Sequence, residues 1–145
     1  MAKLLLSTFT ALVDGVVAEL EREGHPGVTA THAFALEAID DGAQSASQLA
    51  RTLGVSRQAA AKTITALEEL RYLDRRDDPE DARRKRLTVT ARGNEMISIG
   101  ARAFDTVRDR AAERVGVRQL EAAERVLAVL ASNPSPAMRG ERAAR

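Results

Sequence analysis

The 145-residue chain has no cysteine, which removes disulfide scaffolds, thiolate metal sites, catalytic cysteines and thiol-based oxidation sensing together. Histidine is almost as scarce: only His25 and His32 occur, and no spacing supplies them with the further ligands a metal ion needs. No metal or other cofactor is therefore expected. Tryptophan is absent and aromatic residues make up 3% of the chain, which argues against a base-stacking surface for single-stranded nucleic acid. No apolar run approaches the roughly 20 residues of a membrane span. The nearest approach, LLLSTFTALV after Lys3, resembles the start of a signal peptide. It is broken by Asp14, lacks an A-x-A cleavage pattern and places Leu5, Phe9, Leu12, Val16 and Leu20 at helical spacing. A cytoplasmic protein that does not touch membranes is the expectation. Nucleophile-elbow, phosphate-loop, zinc-protease and dinucleotide motifs are all missing, and the carboxylates are interleaved with arginines on helix surfaces, so no enzyme is expected.

What the chain does have is segregated charge. The net charge is +1, yet residues 1–50 carry −5, residues 51–92 carry +4 and residues 93–145 carry +2. From Ala82 to Arg92 there are Arg83, Arg84, Lys85, Arg86 and Arg92 with no acid among them. A local basic patch on a nearly neutral chain suits a polyanion docking at one place, and a solvated loop explains the charge alone equally well.

Hydrophobic spacing and punctuation give the order of elements. A first amphipathic helix runs from about Lys3 to Arg22 and is ended by Glu23-Gly24-His25-Pro26-Gly27, which leaves His25 in a solvent-exposed loop. A second helix spans Thr29 to Ile39. Ser45 and Gln48 form a capping box for a short third helix, which closes at Gly54. Ser56 caps a fourth, Arg57 to Leu70, with Ala60, Ile64 and Leu67 facing inward and Arg57, Gln58, Ala61, Lys62 and Thr65 facing outward. Tyr72–Arg76 and Arg86–Thr90 read as short strands on either side of a polar turn. Thr90 can cap a fifth helix with Met96, Gly100, Ala103, Val107 and Ala111 on one stripe. Gly116 breaks it, and Val117, Leu120, Ala123, Leu127 and Leu130 mark a sixth. Residues 133–145 read as a flexible tail.

Two short helices joined by Leu53-Gly54-Val55-Ser56, then a basic hairpin, is the order of a winged helix-turn-helix. A helix that enters the major groove needs short side chains near its N-terminus so that its backbone can approach the bases, and Ala59-Ala60-Ala61 supplies them. Gln58 matches an adenine edge, Arg57 a guanine or a phosphate, and the Ala61 methyl a thymine methyl. Free N–H groups beside Ser56 suit a phosphate. Four consecutive cations, Arg83 to Arg86, serve no packing purpose in the hairpin.

On these residues the segment from about 28 to 93 resembles the winged-helix domain of the MarR family of bacterial transcription regulators. That family's wing signature, D-x-R and later Leu-Thr and Gly, is matched by Asp81-Ala82-Arg83, Val89-Thr90 and Gly93, with Val89 in place of the usual leucine. The resemblance implies that Asp81 braces the wing by pairing with Arg83, and that Arg83 reaches into a narrow minor groove. Arg71 departs from relatives, which often carry glycine at this helix end. A left-handed arginine there would cost roughly 1 kcal/mol.

The fold class expected is mainly α with a small β-hairpin wing, the winged domain being joined by N- and C-terminal helices that form a dimerisation region. Residues 1–27 would be an N-terminal dimerisation helix, 28–93 the DNA-binding domain and 94–132 the C-terminal dimerisation helices. The terminal helices carry apolar stripes that a small winged domain does not need for its own core, and in the MarR resemblance they interlock with a second copy. A homodimer with recognition helices about 34 Å apart can read a pseudo-palindromic operator on double-stranded DNA. By the same resemblance a small aromatic or anionic effector, entering near Phe9, Arg22, His32, Phe34 and Tyr72, would release the DNA and make the protein a repressor. Two alternatives remain at this level: a winged-helix dimer that acts through protein–protein contact, and a metal-independent regulator like those of the ArsR type.

Overall fold

The computed structural model describes residues 1–77 and 85–132, and the tail expected from residue 133 lies outside them. Six helices and two strands follow in the order α1 (Ala2–Arg22), α2 (Ala30–Asp40), α3 (Ala46–Leu53), α4 (Arg57–Glu69), β1 (Leu73–Asp77), β2 (Lys85–Val89), α5 (Ala91–Val115) and α6 (Val117–Ser132). The fold is the expected one, mainly helical with a single antiparallel hairpin. Each strand is shifted by about a residue from its expected position, because Tyr72 and Thr90 form the base of the hairpin without joining its ladder. Among the described residues no helix is long and apolar enough to cross a membrane, and no group of three or more acidic or histidine side chains could hold a metal ion.

The chain divides into two compact units, Met1–Asp105 and a second from Thr106 onward. In the first, the core is built from Val16 and Leu20 of α1, Leu36 and Ile39 of α2, Leu49 of α3, Ile64 and Leu67 of α4, Leu73 and Leu87 of the hairpin, and Met96 and Ile99 of α5. These are the residues that helical and alternating periodicity place on the inner faces.

Local hydrogen bonds set the helix ends. Ser45 Oγ accepts from the Gln48 N–H at 3.2 Å, and Ser56 Oγ from the Ala59 N–H at 3.1 Å. The return bond of the expected box at α3 is displaced by one residue, since Gln48 Oε1 accepts from the Gln44 N–H at 2.8 Å. A reciprocal box occurs instead at α2, where Thr29 Oγ1 accepts from the His32 N–H and His32 Nδ1 from the Thr29 N–H, both at 3.3 Å. Gly54 closes α3 at φ +66° and so allows the sharp turn that brings α4 across α3.

After α4 the chain turns at Arg71, which is the only non-glycine residue with positive φ among those described, at +61°. Thr90 secures this corner. Its hydroxyl lies 2.8 Å from the Arg71 carbonyl, to which it donates, and accepts from the Gly93 N–H at 3.1 Å, capping α5 as expected.

In the second unit, Gly116 (φ +89°) separates the end of α5 from α6. Arg108 forks onto Glu124, with Nε to Oε1 at 2.7 Å and Nη2 to Oε2 at 3.1 Å. No residue of α6 is buried.

Candidate nucleic-acid interface

The inner face of α4 is sealed by Ala60, Ile64 and Leu67, and the opposite face is open. Ser56, Arg57, Gln58, Ala61, Lys62 and Thr65 are all exposed, so one helix brings together every residue expected to read DNA outside the wing. The Thr65 hydroxyl donates to the Ala61 carbonyl at 3.1 Å and keeps only its acceptor lone pairs for a partner. Neither Arg57 nor Lys62 takes part in an ion pair among the described residues. Cations and short side chains thus alternate on a helix surface whose first turn still has free N–H groups.

The hairpin supplies a second cationic surface. Register pairs Leu73 with Val89, Arg75 with Leu87 and Asp77 with Lys85 on one face, and Asp74 with Thr88 and Arg76 with Arg86 on the other. The first face looks toward the core, where Leu73 and Leu87 are buried. The second holds two exposed arginines directly opposite one another, and the Asp74 carboxylate, 3.9 Å from Arg76, partly offsets their repulsion. Lys85, expected to contact DNA, is held by Asp77. Asp81, Arg83 and Arg84 lie outside the described residues, as does the brace expected between Asp81 and Arg83.

Residues expected to line an effector site do not come together as a group. Phe9 and Phe34 stack, with ring centroids 6.1 Å apart and planes 15° from parallel. His32 serves the helix cap, Arg22 pairs with Glu19 and Glu23, and Tyr72 is fully buried. Phe34 alone of these lines a narrow crevice between α1, α2 and α5, with room for little more than a water molecule, beside Val13, Val17, Glu37, Ile97 and Phe104. Glu37 is its one ionisable group. Burial first, and Asp41 second, push that carboxyl above its ordinary value. No periodic pattern points to Glu37, which reads as an ordinary surface acid.

His25 is a correction. Far from being solvent-exposed, it is 1% exposed, with Nδ1 3.0 Å from the Tyr72 hydroxyl and Nε2 3.7 Å from Glu95. Arg92 lies over the Tyr72 ring at 5.1 Å and donates to the Gly24 carbonyl at 3.0 Å. The loop after α1 is thereby fastened to the base of the hairpin and the first turn of α5.

Residues 27–84, from the start of α2 into the wing, match the model of the MarR family. Their winged helix is a MarR-family domain. The MarR family is one of DNA-binding transcription regulators rather than enzymes. No curated protein matches the chain. Among solved structures, a crystal structure of MarR is 26% identical, with 97% of this chain and 94% of that one aligned and a TM-score of 0.75. A mutant of S. aureus MepR bound to an oligodeoxyribonucleotide is 16% identical (91% and 96% covered, TM-score 0.61). A MarR family protein of Mycobacterium tuberculosis in complex with p-aminosalicylic acid is 22% identical (90% and 98% covered, TM-score 0.65).

Gly93 of the MarR-type signature has a steric reason in this chain. A Cβ there would lie 2.5 Å from the Tyr72 carbonyl oxygen and 2.6 Å from Val89 Cγ1. Only glycine lets α5 start this close to the hairpin.

Proposed function

We propose that the protein binds double-stranded DNA sequence-specifically as a homodimer and represses transcription from a pseudo-palindromic operator. One observation carries this reading: Arg57, Gln58, Ala61 and Lys62 share the open face of α4, next to a hairpin that presents Arg76 and Arg86 without burying either. Ser56 and the free N–H groups behind it would hold a phosphate, Gln58 and Arg57 would read base edges, Ala61 and Thr65 would allow close approach, and Lys62 would meet the backbone. Arg83, Arg84, Lys85 and Arg86 would follow the minor groove, with Asp81 as the brace of Arg83.

Residues 28–93 act in this reading as the DNA-binding domain, and residues 1–27 and 94–132 as the dimerisation region. Exposed apolar side chains support that division: Leu4, Leu6 and Phe9 of α1 and Val126, Leu127 and Val129 of α6 are each about half exposed or more. Surfaces of this kind are normally covered by a partner. A small effector would have to widen the crevice beside Phe34 in order to enter it. The Glu37 carboxylate on its wall favours a neutral or cationic aromatic compound over an anion.

Fluorescence anisotropy with genomic fragments at two salt concentrations, combined with light scattering, tests the reading. A dimer whose affinity falls steeply with salt is expected. A monomer, or affinity independent of salt, would overturn it.

A further inference from the structure

Between the last turn of α4 and the first residue of β1 there are only three residues, Leu70 to Tyr72. The corner therefore leaves the hairpin close to the recognition helix, and its backbone bonds, from the Arg71 N–H to the Glu68 carbonyl at 3.0 Å and from the Tyr72 N–H to the Leu67 carbonyl at 2.8 Å, act at the base of the hairpin. Along the core-facing side of the hairpin, Leu73 packs inside, and the next residue on that side, Arg75, lies where the core ends. Here Arg75 turns back onto α4. Its Nε donates to Glu68 Oε1 and its Nη2 to Glu68 Oε2, the latter at 3.2 Å. The Glu68 side chain is only 25% exposed, and the pairing is the two-pronged guanidinium–carboxylate form, which is the exception to the low value of surface ion pairs.

We infer that the Glu68–Arg75 pair is a strut that fixes the angle of the wing relative to the recognition helix, so that both engage one duplex; this rests on the DNA-binding reading above. Two features favour a strut over chance pairing. A carboxylate on the DNA-reading helix repels phosphate, so a bare Glu68 would weaken binding, whereas a paired one costs little. Arg75 and Arg76 also divide the work of adjacent positions: Arg75 is spent within the fold, and Arg76, on the opposite face, stays exposed opposite Arg86. Glu68 and Arg75 are positioning residues and need not touch DNA.

The test uses full-length protein and a duplex selected by it from random-sequence DNA. Glu68→Gln removes a negative charge and nearly nothing else, so electrostatics alone predicts tighter binding. The strut predicts the opposite sign: a loss of about three- to tenfold on the selected duplex, little change on unrelated DNA, and faster amide hydrogen exchange over residues 73–77 and 85–89 in the free protein. Arg75→Gln should match it, and the charge-exchanged pair Glu68→Arg with Arg75→Glu should recover most of the affinity. Unchanged or tighter binding by Glu68→Gln would overturn the inference, as would a salt slope lowered by about one in Arg75→Gln, which would mark Arg75 as a phosphate contact. If the wild-type protein bound no DNA at all, the functional reading would fail, and the exchange rates would still decide whether the pair holds the wing.

Discussion

His25 Nδ1 and the Tyr72 hydroxyl meet at 3.0 Å in the interior, 47 residues apart in the chain. Burial, and after it the charge of Arg92, hold the His25 pKa below its ordinary value of 6.5, against smaller opposing effects of Glu95 and Glu23. The unfolded chain therefore takes up this proton at a higher pH than the folded one. The associated stability is complete above pH 6.5 and is lost as pH falls through the lower, folded value. Denaturant midpoints measured from pH 7.5 down to 5 should fall, with His32, also shifted down by burial, contributing in the same direction. His25→Gln should flatten that profile, and an unchanged profile would refute the assignment. Tyr72→Phe leaves the His25 nitrogen unpartnered and should cost about 1–3 kcal/mol at neutral pH.

Gly93→Ala places a methyl 2.5 Å from a backbone oxygen that cannot rotate away. A loss of about 1–3 kcal/mol in chemical denaturation is expected, as for other overpacked sites. Wild-type stability would mean that α5 can slide away from the hairpin at no cost.

Arg71→Gly tests the corner from the other direction. Relief of the left-handed conformation at φ +61° should raise stability by up to about 1 kcal/mol, partly offset by the added freedom of the unfolded chain. Arg71→Ala keeps the strain and should show no such gain.

On DNA, Gln58→Ala and Lys62→Ala should separate into two kinds of loss. The first should relax preference at one base pair by about 1–3 kcal/mol. The second should weaken all sequences alike and lower the salt slope by about one. Competition assays with single-substituted duplexes distinguish them, and identical behaviour of the two variants would contradict the roles given to them.

What could be read from the sequence was what is local. Ser45, Gly54 and Ser56 announce α3 and α4 because a cap acts within three or four residues, and Ala60, Ile64 and Leu67 reveal an inner face because a helix repeats. With α4 oriented, the exposed face from Ser56 to Thr65 followed directly. The contacts of His25 did not, because its partners Tyr72, Arg92 and Glu95 come from distant segments and a Gly-Pro-rich neighbourhood reads as open loop. The capping role of His32 is not announced either, because it acts as a box residue through an imidazole nitrogen, where Glu or Gln is the usual signal. The pairing of Arg75 with Glu68 was hidden because alternation marks Arg75 as core-facing without saying what a charged residue finds there.

Arg76 and Arg86 sit across the ladder from one another, and the charges around them are largely engaged: Asp74 lies 3.9 Å from Arg76, Asp77 holds Lys85, and Arg75 is forked onto Glu68. Dissolved ions screen these attractions while competing with any polyanion for the same cations. Raising the ionic strength should therefore slacken the free hairpin and its complexes together, so that one variable weakens both the tool and its grip.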